Sequence, residues 1–178
     1  MPSDDVQPEP DTKDWTWVLD RPCAECGFDP AAQGLGDLPG LIHDTAMTWS
    51  AVLARGDVGR RPAPDVWSPL EYGCHVRDVH VLFAQRLRLM LDEDEPTFAN
   101  WDQDATAIES DYGSQDPTVV AIELIEAAGV VAGTYATVSD ATRGRRGLRS
   151  NGDVFSVESL GSYHLHDVVH HLHDVGAG

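Results

Sequence analysis

Five of the eight histidines in this 178-residue chain fall within one short stretch near its C-terminal end: His164, His166, His170, His171 and His173. They are interleaved with Leu and Val as YHLHDVVHHLHDV, the pattern of an amphipathic helix rather than of a histidine tag. On a helix, positions i and i+4 stand only ~40° apart. His166 and His170 would therefore offer two imidazoles side by side, and the helix orders both rings at little cost, which suits one divalent ion. With Leu165, Val168, Val169 and Leu172, the helical wheel sets His166, His170 and His173 at the border of the buried face. It assigns His164, Asp167, His171 and Asp174 to the polar, solvent side.

A third ligand must come from another helix. His75 is the best placed, at the edge of an apolar face marked by Tyr72 and Val79. His80 points away from that face, and His43 is a weaker alternative on the first helix. Three neutral imidazoles leave a coordination position open, as in a catalytic ion rather than a closed structural one. The expected metal ligands are thus His75, His166 and His170. Asp78 and His173 are the candidate catalytic residues, placed to orient a ligand or move a proton. An ion so held lowers the pKa of a bound water or thiol.

The CAEC pair, Cys23 and Cys26, is a second chemical signal. A single C-x2-C can be half a zinc site, a redox pair or a coincidence. A structural metal using Cys23, Cys26 and a distant histidine stands beside the redox reading, because no βαβ context of a thioredoxin motif surrounds the pair. Cys74 reads as a small buried hydrophobe.

The elements that must position these groups are helical. Asp37 can cap a first helix carrying Leu38, Ile42, Trp49 and Leu53. Ser68, Pro69 and Glu71 form a capping box that opens a second helix, running to about Leu91. A third helix is expected from about Pro117 to Thr142, weakened by Gly129 and Gly133, and a fourth from about Val157 to Val175. The segment 97–116 is a long connection with room for a short helix, and RGRRGLRSNGD reads as a basic loop. Residues 1–14 read as a disordered leader, and Trp15 to Gly36 as an irregular arm, its tryptophans docked on apolar surface. Four amphipathic helices without strand periodicity predict an all-α four-helix bundle with crossover connections, in a single domain over 15–178.

Composition narrows the function. With 30 acidic against 12 basic residues, the net charge is −18, which repels nucleic acid and anionic membranes. The first residues lack the basic start and apolar stretch of a signal peptide, and no run is expected to reach the length of a membrane span. Three cysteines are too few and too odd for a secreted disulfide framework. A cytoplasmic protein acting on a small molecule is the resulting expectation.

The stretch W67-S-P-L-E-Y-G-C-H75 resembles the opening of the second helix in DinB/YfiT-like proteins. H166-D-V-V-H170-H-L-H173 is similar to that family's C-terminal His-x3-His helix, with His173 standing where many members have Gln. Trp101 to Ala107, WDQDATA, resembles the central segment of an actinobacterial branch. The resemblance covers roughly residues 37–175. It implies a four-helix bundle, often a homodimer, with zinc or nickel on three histidines that map onto His75, His166 and His170. Relatives in that family include a mycothiol-dependent maleylpyruvate isomerase and bacillithiol or mycothiol S-transferases. The isomerase has a further C-terminal domain, so its activity is not carried over. The resemblance therefore implies a thiol S-transferase, using a low-molecular-weight thiol such as mycothiol activated at the ion. The same centre suits a metal-dependent hydrolase, and a non-catalytic, metal-stabilised binding or stress-response module is the third reading. Arg145, Arg146 and Arg149, just before the last helix, could meet the thiol cofactor, with Arg149 the cofactor-binding candidate; a solvated loop is their plainer reading.

Overall fold

The computed structural model of the chain describes Pro8, Pro10 and residues 13–178; most of the leader expected over 1–14 lies outside them. Five α-helices form where the caps and apolar periodicities lie: α1 (Leu38–Leu53), α2 (Pro69–Asp92), α3 (Gln103–Glu109), α4 (Pro117–Tyr135) and α5 (Val157–Asp174). Pro39 stands in the first turn of α1. In α2, the Ser68 hydroxyl accepts from the Glu71 amide and the Glu71 carboxylate reaches back to the Ser68 amide, so two orphan donors of the helix start are satisfied at once. Asp116 caps α4 by accepting from the Thr118 and Val119 amides, and Ser156 forms a reciprocal capping box with Ser159 at the start of α5. α3 is the short helix that the 97–116 connection had room for. α4 stops at Tyr135 rather than near Thr142, and turns follow it.

The four long helices do not follow one another around the bundle. α4 packs against both α1 and α2, and α5 also packs against both, which puts α4 and α5 on opposite sides of the α1–α2 diagonal. The expected crossovers are what this order demands. At the closest approach, Gly161 of α5 lies where a Cβ would come within 2.3 Å of Leu38 Cδ1 and 3.2 Å of Tyr135. The core runs the length of the bundle through Ile42, Trp49, Val76, Leu87, Leu124, Val131, Leu160 and Val168.

Two features depart from the sequence reading. The basic loop is a hairpin: β2 (Arg146–Arg149) pairs antiparallel with β3 (Val154–Ser156), and β1 (Thr97–Phe98) joins β2 in parallel. These strands are too short to show an alternating pattern in sequence. Arg145 and Arg149 there are anchored rather than solvated, whereas Arg146 is exposed beside Glu95. Arg145 donates to the carbonyls of Met90 and Glu93 at 2.6 and 2.5 Å, tying the hairpin to the end of α2. The second departure is α4, which is long and apolar enough to cross a membrane by length and composition, with a mean hydropathy of 1.5. It lies with one face against α1 and α2, carries Glu123 and Glu126, and leaves Val119, Ile122 and Val130 exposed on its other face.

The arm before α1 is irregular, as expected, with short 3-10 turns at Thr16–Leu19 and Leu35–Asp37. It buries Val18, Cys23 and Phe28 and lays Trp15 and Phe28 on α5, where their rings stand 5.5 and 5.4 Å from that of His166.

Candidate metal centre

The capping box at the start of α2 does more than begin a helix. Arg61 grips the same Glu71 carboxylate with its guanidinium fork, Nε to Oε2 at 3.0 Å and Nη2 to Oε1 at 2.5 Å. This fixes the first turn, and one turn later His75 enters the interior fully buried. Trp67 packs on its ring at 5.5 Å, and Trp101 stacks over it at 5.3 Å with an interplanar angle of 12°.

His75 meets α5 at Asp167 and His171. Nε2 of His75 lies 3.3 Å from Asp167 Oδ1, and Nε2 of His171 lies 3.7 Å from the same oxygen. Zinc bonds of ~2.1 Å at a tetrahedral angle place such donors ~3.4 Å apart. The ligand atoms of these three residues all lie within 4.8 Å of one another. His171 Nδ1 stands 2.8 Å from Asp174 Oδ2; donating its proton there leaves the Nε2 lone pair for an ion. Burial works against ionisation of Asp167, yet the hydrogen bond from His75 and the neighbouring imidazoles of His75, His171 and His164 hold its carboxyl far below the ordinary carboxylate range. Nδ1 of His75 is buried without a protein partner. An anionic oxygen and two imidazole Nε2 atoms, all within 4.8 Å of one another, form a donor set that fits a divalent cation.

His166 and His170 do not join His75. Their ligand atoms cluster with those of Cys23 and Cys26 instead, again all within 4.8 Å of one another. The structure thus divides the expected set of His75, His166 and His170 between two places on neighbouring faces of α5. The reason is the arm. The helical wheel allowed α5 one buried face, whereas α5 is covered by the bundle on one side and by residues 15–36 on another. His164, assigned to solvent, is instead fully buried against His80 and Phe83 of α2 and Tyr135 of α4, and His80 is buried with it. Asp167 and His171 are half-buried at the seam. The signal that could have found them is D167-x3-H171, an i, i+4 pair one residue out of step with H166-x3-H170.

The remaining candidates are placed as follows. His173 is exposed, its ring 6.2 Å from that of His170. Asp78 accepts from the Tyr112 hydroxyl at 2.5 Å and from Arg77 at 2.8 Å. Neither lines the cleft described next. Arg149 does, held by Asp153 and lying over the rings of Phe155 and Tyr163. His43 is exposed on α1.

Asp167 and His171 open onto a cleft of about 1060 Å³, walled by Trp15, Trp67, Tyr72 and Trp101 and lined with Asp65, Asp102, Asp104 and Asp174. Because Asp174 orients His171 from outside the set of ligand atoms, Asp174→Asn should weaken metal binding here by roughly 10–100-fold without unfolding the chain. Competition with a chromophoric chelator, beside an unchanged helical circular dichroism spectrum, measures this.

Behind the cluster, His80 Nδ1 and His164 Nε2 share a 2.9 Å hydrogen bond between α2 and α5. Burial pushes the His80 imidazole down to about 4, with a smaller opposing pull from Asp167. The unfolded chain, whose histidines titrate near ~6.5, therefore takes up this proton first as the pH falls. Stability present above pH ~6.5 should decline by roughly 3 kcal/mol on the way to pH ~4. Urea unfolding at a series of pH values tests this: His80→Leu should show a shallower dependence than the parent chain across that window.

The comparisons with known proteins agree with this architecture. YfiT from Bacillus subtilis, described as a probable metal-dependent hydrolase with an unusual four-helix bundle topology, superposes with a TM-score of 0.70 at 19% identity, over 78% of this chain and 82% of that one. No curated protein matches the sequence. The model of the DinB superfamily matches residues 43–175, which includes both halves of the His75, Asp167 and His171 cluster and well over half of the chain, and on that ground this protein belongs to the DinB superfamily.

Proposed function

We propose that this chain is a metal-dependent enzyme in which His75, Asp167 and His171 hold one zinc or nickel ion, and that it joins a low-molecular-weight thiol, such as mycothiol, through its sulfur to an electrophilic carbon of a small molecule, the thiol proton passing to solvent and the displaced group leaving with its electron pair. The observation that carries the reading is the pair of imidazole Nε2 atoms facing one carboxylate oxygen at the wall of a large cleft. Three protein ligands leave a position for a further one, and an ion bound there would hold a thiol or a water in its deprotonated form near neutral pH.

The chain's own residues do the rest. Asp174 fixes the His171 tautomer. Trp101 and Trp67 cover His75 and keep bulk water from that side of the site. The acidic lining disfavours an anionic substrate and suits a neutral polyol or an amine. Arg149, one of few cations at the cleft, is the proposed contact for the thiol cofactor. The cleft of about 1060 Å³ lies at the upper end of the ~300–1,000 Å³ usual for ligand pockets, which suits a molecule as large as a sugar-bearing thiol. Hydrolysis by a bound hydroxide is the second reading, supported by the description of YfiT. We take the protein to be cytoplasmic. A homodimer belongs to the same proposal, supported by exposed Val119, Ile122 and Val130 on α4.

Metal-loaded protein should be assayed on a panel of electrophiles with and without added thiol. The proposal expects turnover that needs the thiol, ends with a chelator, and shows a raised KM for thiol with kcat kept in Arg149→Ala. Turnover independent of thiol would replace transfer by hydrolysis. Absence of both turnover and metal binding would defeat the reading.

A further inference from the structure

We propose a second metal site, distinct from the one above: a closed, tetrahedral zinc centre formed by Cys23, Cys26, His166 and His170, which staples the N-terminal arm onto α5. The four donors are those of structural zinc sites, in C-x2-C and H-x3-H spacing, with the bundle inserted between the two halves. No DinB motif in the sequence accounts for the two cysteines, and the DinB match begins at residue 43, after both of them.

The local geometry is that of a preformed knuckle. Gly27 sits at φ +75°, a left-handed conformation that glycine adopts without strain. Its amide donates to the Cys23 carbonyl at 2.9 Å, and the Cys23 amide donates to Phe28 O at 2.8 Å. Both cysteines are free thiols. On the other side, the helix fixes His166 and His170 at i, i+4. His170 Nδ1 is 3.7 Å from Cys23 Sγ; zinc bonds of ~2.3 Å to sulfur and ~2.1 Å to nitrogen place such donors ~3.6 Å apart. His166 is 4% exposed, and its Nε2 is buried with no hydrogen-bond partner. Glu25 and Asp174 lie 3.5 and 3.9 Å from His170 Nε2, as outer carboxylates that orient a ligating imidazole.

The charge balance also fits. Two thiols give up two protons to solvent as the ion binds, and two thiolates cancel the ion's charge. The centre under Trp15 and Phe28 therefore buries no net charge, which a low-dielectric site requires. With four protein ligands it offers no open position, so its role is structural. It holds residues 15–36 against α5, and it fixes the helix one residue out of step with Asp167 and His171.

The test uses untagged, full-length protein isolated under reducing conditions. Elemental analysis should find zinc that a thiol-binding mercurial releases, one equivalent for the two thiols of this site. Protein loaded with cobalt(II) should show thiolate-to-cobalt charge-transfer absorption. That absorption should vanish in the double variant Cys23→Ser, Cys26→Ser and persist in His171→Ala, whereas loss of metal at the other centre follows the opposite pattern. A wild-type protein without the charge-transfer band, or one whose zinc is untouched by the mercurial, would overturn the proposal whether or not the double variant folds. A Cys23–Cys26 disulfide in the reduced preparation, or a band that survives the double substitution, would overturn it as well.

Discussion

Asp167→Ala should empty the centre formed with His75 and His171 and abolish turnover, while His166→Ala should leave metal affinity at that centre nearly unchanged. The contrast follows from geometry. Both imidazole Nε2 atoms face the Asp167 carboxylate, at 3.3 and 3.7 Å, and no other carboxylate or cysteine completes a cluster with His75 and His171 among the described residues. Losing the anion removes a ligand and the one negative charge that offsets the ion. The loss in affinity should therefore exceed the roughly 10–100-fold expected when only an outer-shell partner is lost. Asp167→Asn separates the two contributions, because it keeps an oxygen in place and removes the charge. Stability of the metal-free chain should fall by only about 1–3 kcal/mol, the usual range for a buried partner lost from a hydrogen bond. Chelator competition and thermal unfolding, run on both variants, give the numbers. If His166→Ala and His75→Ala lose the same ion while Asp167→Ala keeps it, the three-histidine arrangement is the correct one and the reading from geometry fails.

How far the sequence alone reached can be traced through α2 and α5. The start of α2 was legible because its signals are local: a Ser cap, a proline in the first turn and a glutamate at the third position each act within one turn. The position of His75 followed, since it lies about two turns inside a well-defined start. The four long helices were legible for the same reason, and crossovers followed from connection lengths. The face of α5 was not. Periodicity tells how side chains divide around a helix, but not how many sides are covered. Asp167 and His171 looked solvent-facing because the wheel supposed one buried face, and the arm that covers a second carries no periodic signal at all. His80 and His164 were misassigned by the same supposition, each hidden where α2 and α5 meet. The hairpin of β2 and β3 escaped notice because three or four residues cannot establish a period of two. The C-x2-C spacing suggested a metal shared by Cys23 and Cys26 with a distant histidine, but spacing along a chain could not name His166 and His170 as the residues brought beside them.

The Trp-Ser-x-x-Glu opening of α2 bears on stability more than on chemistry, and Glu71→Ala should be among the most damaging substitutions outside the apolar core. Glu71 is 5% exposed. It accepts from the Ser68 amide and hydroxyl at 2.8 Å each and from the fork of Arg61. Truncation would leave the Ser68 amide without a partner and the guanidinium without its counter-charge. Breaking a fully buried pair costs about 3–5 kcal/mol. Arg61 keeps some access to solvent and a second acceptor, the Pro64 carbonyl at 3.2 Å, so the expected cost is about 2–3 kcal/mol. Ser68→Ala, which removes only the cap, should cost about 1 kcal/mol. The pH dependence has a definite sign. Burial alone would raise the Glu71 carboxyl, but the hydrogen bonds from Arg61 and Ser68 outweigh it and hold the group below the usual glutamate value. Its contribution is therefore complete above the unfolded-state value of ~4.3 and is lost as the pH falls below it. The gap in urea midpoint between wild type and Glu71→Ala, about 1 M at neutral pH for a denaturant slope of ~2–3 kcal/mol per M, should close on acidification. A double-mutant cycle with Arg61→Ala should return a coupling of about 1–3 kcal/mol. A coupling near zero would mean that Glu71 acts on α2 through the cap alone, and that the position of His75 owes nothing to Arg61.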